Sequence, residues 1–401
     1  MNRHFSPAFF AMNRERAIQK LRGGAIALSG YGLMQRTNDI TGAFTQEANF
    51  WYLTGINDPD WQVIIDGRRN KSWLVCPHVS REQEVFGGCL RPEEAMAISG
   101  IDEIVDATEA LNILRQLART HSLLYTCDQP AQNFTLNPAP REFRQLLERY
   151  FAKVQDCRAD IATLRSIKLP QEIDAIKQAI KVTEGGLEQV RTSLAKYSYE
   201  YEVEADITHA FRSRGCHHAY APIIAGGGNA CTLHYEHNND RLKKRSLLLM
   251  DVGASYEHYA ADITRTYAIG EPTKRQAAVH AAVCDAQERI IELCQPGTPL
   301  TAYREQADQI MEKALVELKL MDPGNTEQFY TYFPHAVGHG LGIDVHDSLG
   351  QNQYLLPGMV VTVEPGIYIP AEGIGVRIED DILIGEKGPV NLSAKLSTSM
   401  N

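Results

Sequence analysis

No CxxC pair and no regular cysteine spacing occur in this 401-residue chain, although it carries eight cysteines, at 76, 89, 127, 157, 216, 231, 284 and 294. That usage argues against a disulfide framework or a thiolate metal cage and reads as reduced core thiols of a cytoplasmic protein. Long hydrophobic runs are missing as well. Nothing approaches the ~18 consecutive apolar residues of a membrane span. The apolar run Ala8–Met12 is too short for the core of a secretory leader. Positive charge is scarce: 40 Lys and Arg stand against 50 Asp and Glu, a formal net charge of −10. Without a basic stripe to offset it, this argues against a nucleic-acid partner. The short KKR run at 243–245 fits a turn before a strand, and no repeat or low-complexity segment is present.

What is there is an ordinary soluble composition, 44% apolar, in a chain long enough for two domains. Residues 1–160 alternate short strands and helices and read as an α/β domain. GAIALSG (24–30), FWYLTG (50–55), WQVIID (61–66) and SWLVC (72–76) read as strands; PEEAMAIS (92–99) and TEALNILRQLART (108–120) read as helices. Asp156–Leu169 reads as the linker, and Pro170 starts a long helix. Residues 161–401 interleave long helices, at about 170–195, 202–214, 273–294 and 301–319, with hairpins. That alternation predicts an α+β fold, with helices packed on one face of a curved antiparallel sheet. The polar tail NLSAKLSTSMN reads as frayed.

The chemistry is concentrated in this second half. Asp251, Asp262, His339, Glu364 and Glu379 lie in SLLLMDVGASYEHYAADITRTYAIG, FPHAVGHGLGIDVHD, GMVVTVEPGIYIP and GIGVRIEDDILIG. An ionised side chain in such apolar or Gly-flanked segments is costly unless something neutralises it. A lone carboxylate in a strand usually faces solvent or meets an arginine, and Arg265 and Arg377 are available for that. Two symmetric pairs are harder to dismiss. Asp251 and Asp262 are equidistant from a turn centred between Tyr256 and Glu257, and Glu364 and Glu379 from a tip at Ala371–Glu372. Facing residues of a hairpin have Cβ atoms ~4.5–5.5 Å apart, where like charges repel unless cations lie between them. The set therefore predicts a divalent metal site holding two ions, and so hydrolysis. His335 and His339 are spaced i, i+4 in a glycine-rich segment suited to close approach, with His339 the favoured ligand and His346 nearby. His234 follows another glycine run, in AGGGNACTLHY.

LLLMDVG, ADITRT, HAVGHGLGIDVHD, VTVEPGIYI and VRIEDDILI, in that order, resemble the metallopeptidases of the pita-bread fold, which include methionine aminopeptidase, aminopeptidase P and prolidase. FTQEAN–FWYLTGINDP and RSIKLPQEIDAIKQA are similar to aminopeptidase P in particular, so the likeness spans most of the chain. It implies an α/β domain at 1–160 concerned with substrate access and oligomer contacts, and a pita-bread catalytic domain at 161–401. It further implies two divalent ions, Mn²⁺ above Co²⁺ or Zn²⁺, with Asp262 and Glu379 bridging, Asp251 on one ion, and His339 and Glu364 on the other. A hydroxide held between the ions would be the nucleophile, and Glu364 would pass its proton to the leaving nitrogen. His234 and His346 would bind substrate oxygens, and Arg377 would orient a ligand. His335 and Tyr368 would line the site. The implied activity is an Xaa-Pro aminopeptidase acting on peptides with proline at position two, in a homodimer or homotetramer. The alternatives are an Xaa-Pro dipeptidase, which the compact hairpin of 14 residues between Glu364 and Glu379 also fits, and a non-enzymatic relative that only binds.

Overall fold

Short apolar runs at residues 25–29, 62–66, 71–75 and 124–126 leave little choice but a buried sheet. In the computed structural model, which describes residues 4–127 and 137–400, they form one. The chain divides into two units between Arg165 and Ser166. In the first, six strands run in the order Glu103–Val105, Lys71–Val75, Gln62–Asp66, Ala25–Ser29, Leu124–Thr126 and Val154–Asp156. The pairs Ala25↔Asp66 and Gln62↔Val75 are antiparallel, whereas Ala25↔Leu124, Trp73↔Glu103 and Leu124↔Val154 are parallel. Ala25–Ser29 is buried along its whole length, as expected of a strand whose two faces are both covered. Helix Ala107–Thr120 starts at Asp106, whose carboxylate accepts from the Glu109 amide, and buries Ala110, Ile113, Leu114 and Leu117 at helical spacing.

One expectation for this unit fails. FWYLTG is not a strand: Ala48–Thr54 is a helix, capped by Glu47 at its start and closed by Gly55 in the left-handed region at φ 69°. Every residue of that helix is buried. A helix covered on all sides shows no 3.6-residue period, so the β-propensity of its aromatics misleads. Asp156–Leu169 contains the boundary between the two units, but it is structured: it ends the strand Val154–Asp156 and forms the helix Arg158–Ser166.

The second unit carries helices Pro170–Ser193, Glu200–Arg212, Lys274–Leu293, Leu300–Glu317 and Thr326–Tyr332. No helix among the described residues is long and apolar enough to cross a membrane. Its larger hairpins are antiparallel. Val279, Val283, Ala286 and Ile290 of one helix share a core with Val361, Val363, Ile367, Val376 and Ile382 of the strands.

The glutamate hairpin pairs Gly366↔Arg377 through Ile369↔Ile374, and continues in register as Val363↔Asp380 to Val360↔Leu383. Glu364 therefore stands opposite Glu379. The aspartate hairpin differs from expectation. Leu247–Val252 pairs with Ile263–Ala268 so that Asp251 faces Thr264, not Asp262. The turn is one residue further along, at Glu257 and His258, which both take positive φ (47° and 71°) in a two-residue loop. A shift of two in the partner preserves the face, so Asp262 becomes the diagonal neighbour of Asp251. Gly253 makes this crossing possible, since a Cβ there would stand 1.8 Å from the Ala261 carbonyl oxygen.

Arg265 ties the second unit together. Fully buried, it donates to the carbonyls of Thr264 and Glu379, to the Asp380 carboxylate at 2.6 Å, and to the carbonyls of Leu396 and Ser397. Arg265 thus pairs with the side chain of none of the five candidate ligands, reaching Glu379 only at its backbone carbonyl. The described part of the tail is not frayed, because the Met400 carbonyl also accepts from the Ala268 amide; Asn401 lies outside the described residues. Removing the cation should leave Asp380 charged and buried. Arg265→Met is expected to lower the urea unfolding free energy by ~3–5 kcal/mol, and adding Asp380→Asn should restore part of the loss. A double variant no more stable than the single one would contradict this.

Candidate metal centre

Three backbone contacts bring the two hairpins together. The Glu379 amide donates to the Thr264 carbonyl at 3.1 Å, and the Thr266 hydroxyl bridges the Arg377 backbone by donating to its carbonyl and accepting from its amide. The Asp251–Asp262 face and the Glu364–Glu379 face therefore meet. The glycine-rich segment closes the third side. Thr362 accepts from the His339 amide through its hydroxyl and donates its own amide to the His339 carbonyl. Gly338 is required there, because a Cβ would lie 2.1 Å from the Thr362 carbonyl oxygen.

The result is a cavity of about 600 Å³. Asp251, Asp262, His339, Glu364 and Glu379 line it, together with His234, His335, His346 and Arg377. Tyr368 lies behind the wall. Donor atoms of Asp251, Asp262 and Glu379 lie within 4.8 Å of one another, as do those of His339, Glu364 and Glu379; a third set joins Asp262, His339 and His346. Glu379 is common to the first two sets.

Each ligand candidate is held from behind. Arg377 donates to Asp251 at 2.6 Å and to the Tyr368 hydroxyl at 2.9 Å. Tyr220, which sequence reasoning missed, sets its hydroxyl 2.6 Å from Asp251 and 2.5 Å from Asp262, its one proton lying between the two carboxyl groups. Thr264 donates to Glu379 at 2.6 Å and Thr362 to Glu364 at 3.3 Å. Both threonines were legible in principle: each sits two residues from a candidate ligand, Asp262 or Glu364, and so on the same strand face, although the partner of Thr264 is Glu379. Tyr220 left no comparable signal. His335 donates from Nδ1 to the Ala336 carbonyl, leaving Nε2 to accept from Tyr368.

The electrostatics describe a site short of positive charge. Burial, reinforced by Asp262, Glu364 and Asp251, pushes Glu379 well above the usual carboxyl range. Burial also raises Glu364 to about 7, even with His339 and Arg377 opposing, and raises Asp262. Burial alone would depress His339, but Asp262 and Glu364 outweigh it and hold the imidazole at about 9. Burial lowers His335 to about 4 and also depresses His346.

Donor chemistry fits a pair of divalent cations. Four carboxylates supply hard oxygens. His339 donates Nδ1–H to the Gly340 carbonyl and turns Nε2 toward Asp262 (3.4 Å) and Glu364 (3.5 Å). Without metal, Nε2 carries a proton toward these carboxylates below about pH 9; with Nδ1–H committed to Gly340, a cation that displaces that proton meets the Nε2 lone pair, so the imidazole is arranged as a ligand.

Residues 174–386 match the model of metallopeptidase family M24, and residues 10–125 match that of the aminopeptidase P N-terminal domain. Xaa-Pro aminopeptidase of Haemophilus influenzae is 33% identical over 390 residues, 90% of this chain and 87% of that protein. Escherichia coli aminopeptidase P with the inhibitor Pro-Leu superposes with a TM-score of 0.87 at 28% identity, covering 99% and 97% of the two chains. A zinc-substituted form of the same enzyme, in complex with product, gives a TM-score of 0.85 with the same coverage.

Metal affinity should follow proton displacement. In the metal-free protein Asp262, Glu364 and Glu379 keep protons to higher pH than in the unfolded chain, so burial of their ionised forms costs stability as pH rises. His339 works in the same direction: its favourable charge is complete below its unfolded value and is lost as pH rises through about 9. Above the ordinary histidine value, where the depressed His335 and His346 are neutral in both states, the native state binds more protons, so metal-free stability should fall from about pH 7 to about pH 9. A divalent ion replaces those protons, and its stabilising effect should grow over the same range. Thermal melts with chelator and with Mn²⁺ across the series test this; a metal-induced shift independent of pH would contradict it.

Proposed function

Because the chain belongs to metallopeptidase family M24 and carries an N-terminal domain of the aminopeptidase P type, we propose that it is a metal-dependent Xaa-Pro aminopeptidase. It hydrolyses the bond between the first residue of a peptide and a proline at position two. The observation that carries this reading is the pair of donor sets sharing Glu379 inside one cavity.

We infer that Asp251, Asp262, His339, Glu364 and Glu379 would hold the divalent ions, Glu379 belonging to both carboxylate donor sets. Hard oxygens with a single imidazole support Mn²⁺ as the resident metal, with Co²⁺ and Zn²⁺ able to replace it. Bound ions supply Lewis-acid polarisation of the scissile carbonyl and make water a competent nucleophile near neutral pH. The rest is the work of the chain. Glu364, with a proton affinity near neutrality in the metal-free site, takes the proton of the attacking water and delivers it to the proline nitrogen as the bond breaks. That delivery matters, since an imide nitrogen leaves poorly without it. His234 and His346 donate to the substrate carbonyl and to the oxyanion that develops from it. Arg377, Thr264, Thr362 and Tyr220 hold the carboxylates in place. His335, neutral and tied to Tyr368, shapes the wall.

Proline offers no N–H for strand-like binding, so the free amino terminus and the carbonyl must carry recognition. The acidic cavity suits the first and its histidines the second. We further assign oligomer contacts to the N-terminal unit, where Ile40, Val85 and Phe86 are 60%, 75% and 85% exposed. Eight free cysteines support a reducing, cytoplasmic setting.

Hydrolysis of an Xaa-Pro dipeptide, an Xaa-Pro-Yaa tripeptide and a longer Xaa-Pro peptide with Mn²⁺ tests the function. Cleavage of the longer substrates is expected, with chelator abolishing it. Cleavage of the dipeptide alone would make the enzyme a dipeptidase. Glu364→Gln should lower kcat by ~10²–10⁴-fold. A variant with unchanged kcat would remove Glu364 from proton transfer.

A further inference from the structure

Five carboxylates line the cavity among the described residues, and four of them belong to the donor sets. The fifth, Glu236, does not. Its side chain is exposed and makes no hydrogen bond or ion pair with any described residue. The loop presenting it is nonetheless fixed. On one side the Tyr235 hydroxyl donates to Glu200 at 2.9 Å. On the other, buried Asn238 accepts from the Ile224 amide and donates to Glu204 and to the Pro222 carbonyl. A flexible surface acid would carry no implication; an unpaired one on an anchored loop, facing a substrate cavity, does.

The charge balance sharpens the point. Arg377 is the one arginine or lysine lining the cavity among the described residues, and it is committed to Asp251 and Tyr368. Two divalent ions and Arg377 would meet the four inner carboxylates. No lysine or arginine among the described residues pairs with Glu236, so its charge is left unpaired on the cavity wall.

We propose that Glu236 is a specificity-determining residue, forming a subsite for a positively charged side chain next to the substrate proline. The inference rests on the aminopeptidase reading. The chemistry recognised is an ammonium or guanidinium group, and the flanking residues at peptide positions one and three are its two possible sources.

The test compares kcat/KM for tripeptides with Lys, Ala or Glu at position one, and separately at position three, using the Mn²⁺-loaded enzyme. Each value is normalised to the alanine peptide on the same protein. A Lys-over-Glu preference of about fivefold to tenfold is expected at one of the positions, shrinking in high salt as a solvent-accessible charge contact must. Glu236→Gln should bring that ratio close to one. An unchanged ratio in the variant would overturn the proposal. So would an equal loss for all peptides, which would assign Glu236 to a group common to every substrate. Calorimetric binding of the same peptides to Glu364→Gln, with and without Glu236→Gln, reads the preference without turnover. If no peptide is cleaved but the binding preference is present and needs Glu236, only the peptidase reading falls.

Discussion

Four carboxylates forced into one cavity repel one another, and much of the second unit can be understood as holding them there. Two hairpins supply the acids in facing or diagonal pairs, and Thr264, Thr266 and the Glu379 amide join the hairpins edge to edge. Among the described residues Arg377 is the only arginine or lysine lining the cavity, and its hydrogen bond to the donors goes to Asp251. The remaining repulsion appears as proton uptake, in raised Asp262, Glu364 and Glu379 and a raised His339. Divalent cations are the natural relief.

That tension explains the investment behind the ligands. Hydroxyl donors from Tyr220, Thr264 and Thr362 hold carboxylate oxygens without adding charge. Arg265 provides a second anchor on the far side of the same strands, pinning the Glu379 carbonyl, Asp380 and the C-terminal segment at once. Glycines at 253 and 338 allow backbone approaches that any side chain would block. The fold thus separates two jobs: apolar helices stabilise the sheet, while its polar face is left free for chemistry.

The first unit was readable in part. Its sheet strands at 25–29, 62–66 and 71–75 and its amphipathic helices announced themselves by pattern, because one or both faces obey a simple period. Helix Ala48–Thr54 did not, being buried on every side and so lacking any period. The helix Arg158–Ser166 was hidden for a related reason, lying where a domain junction favoured reading a linker.

For the site, local order along the chain was enough to pair the acids, since antiparallel hairpins bring residues near their turns together; His234, His335, His339 and His346 lie outside the hairpin strands and were given their roles by resemblance. It also determined that Glu364 and Glu379 face each other, because a tip marked by Pro370 and Gly373 leaves one register. It could not determine the register of Asp251 and Asp262, which turns on positive φ at Glu257 and His258, residues with no strong turn signature. Nor could it show Tyr220, Arg377 on Asp251, or Glu236 at the cavity. Those contacts join segments far apart in the chain, and only packing sets them.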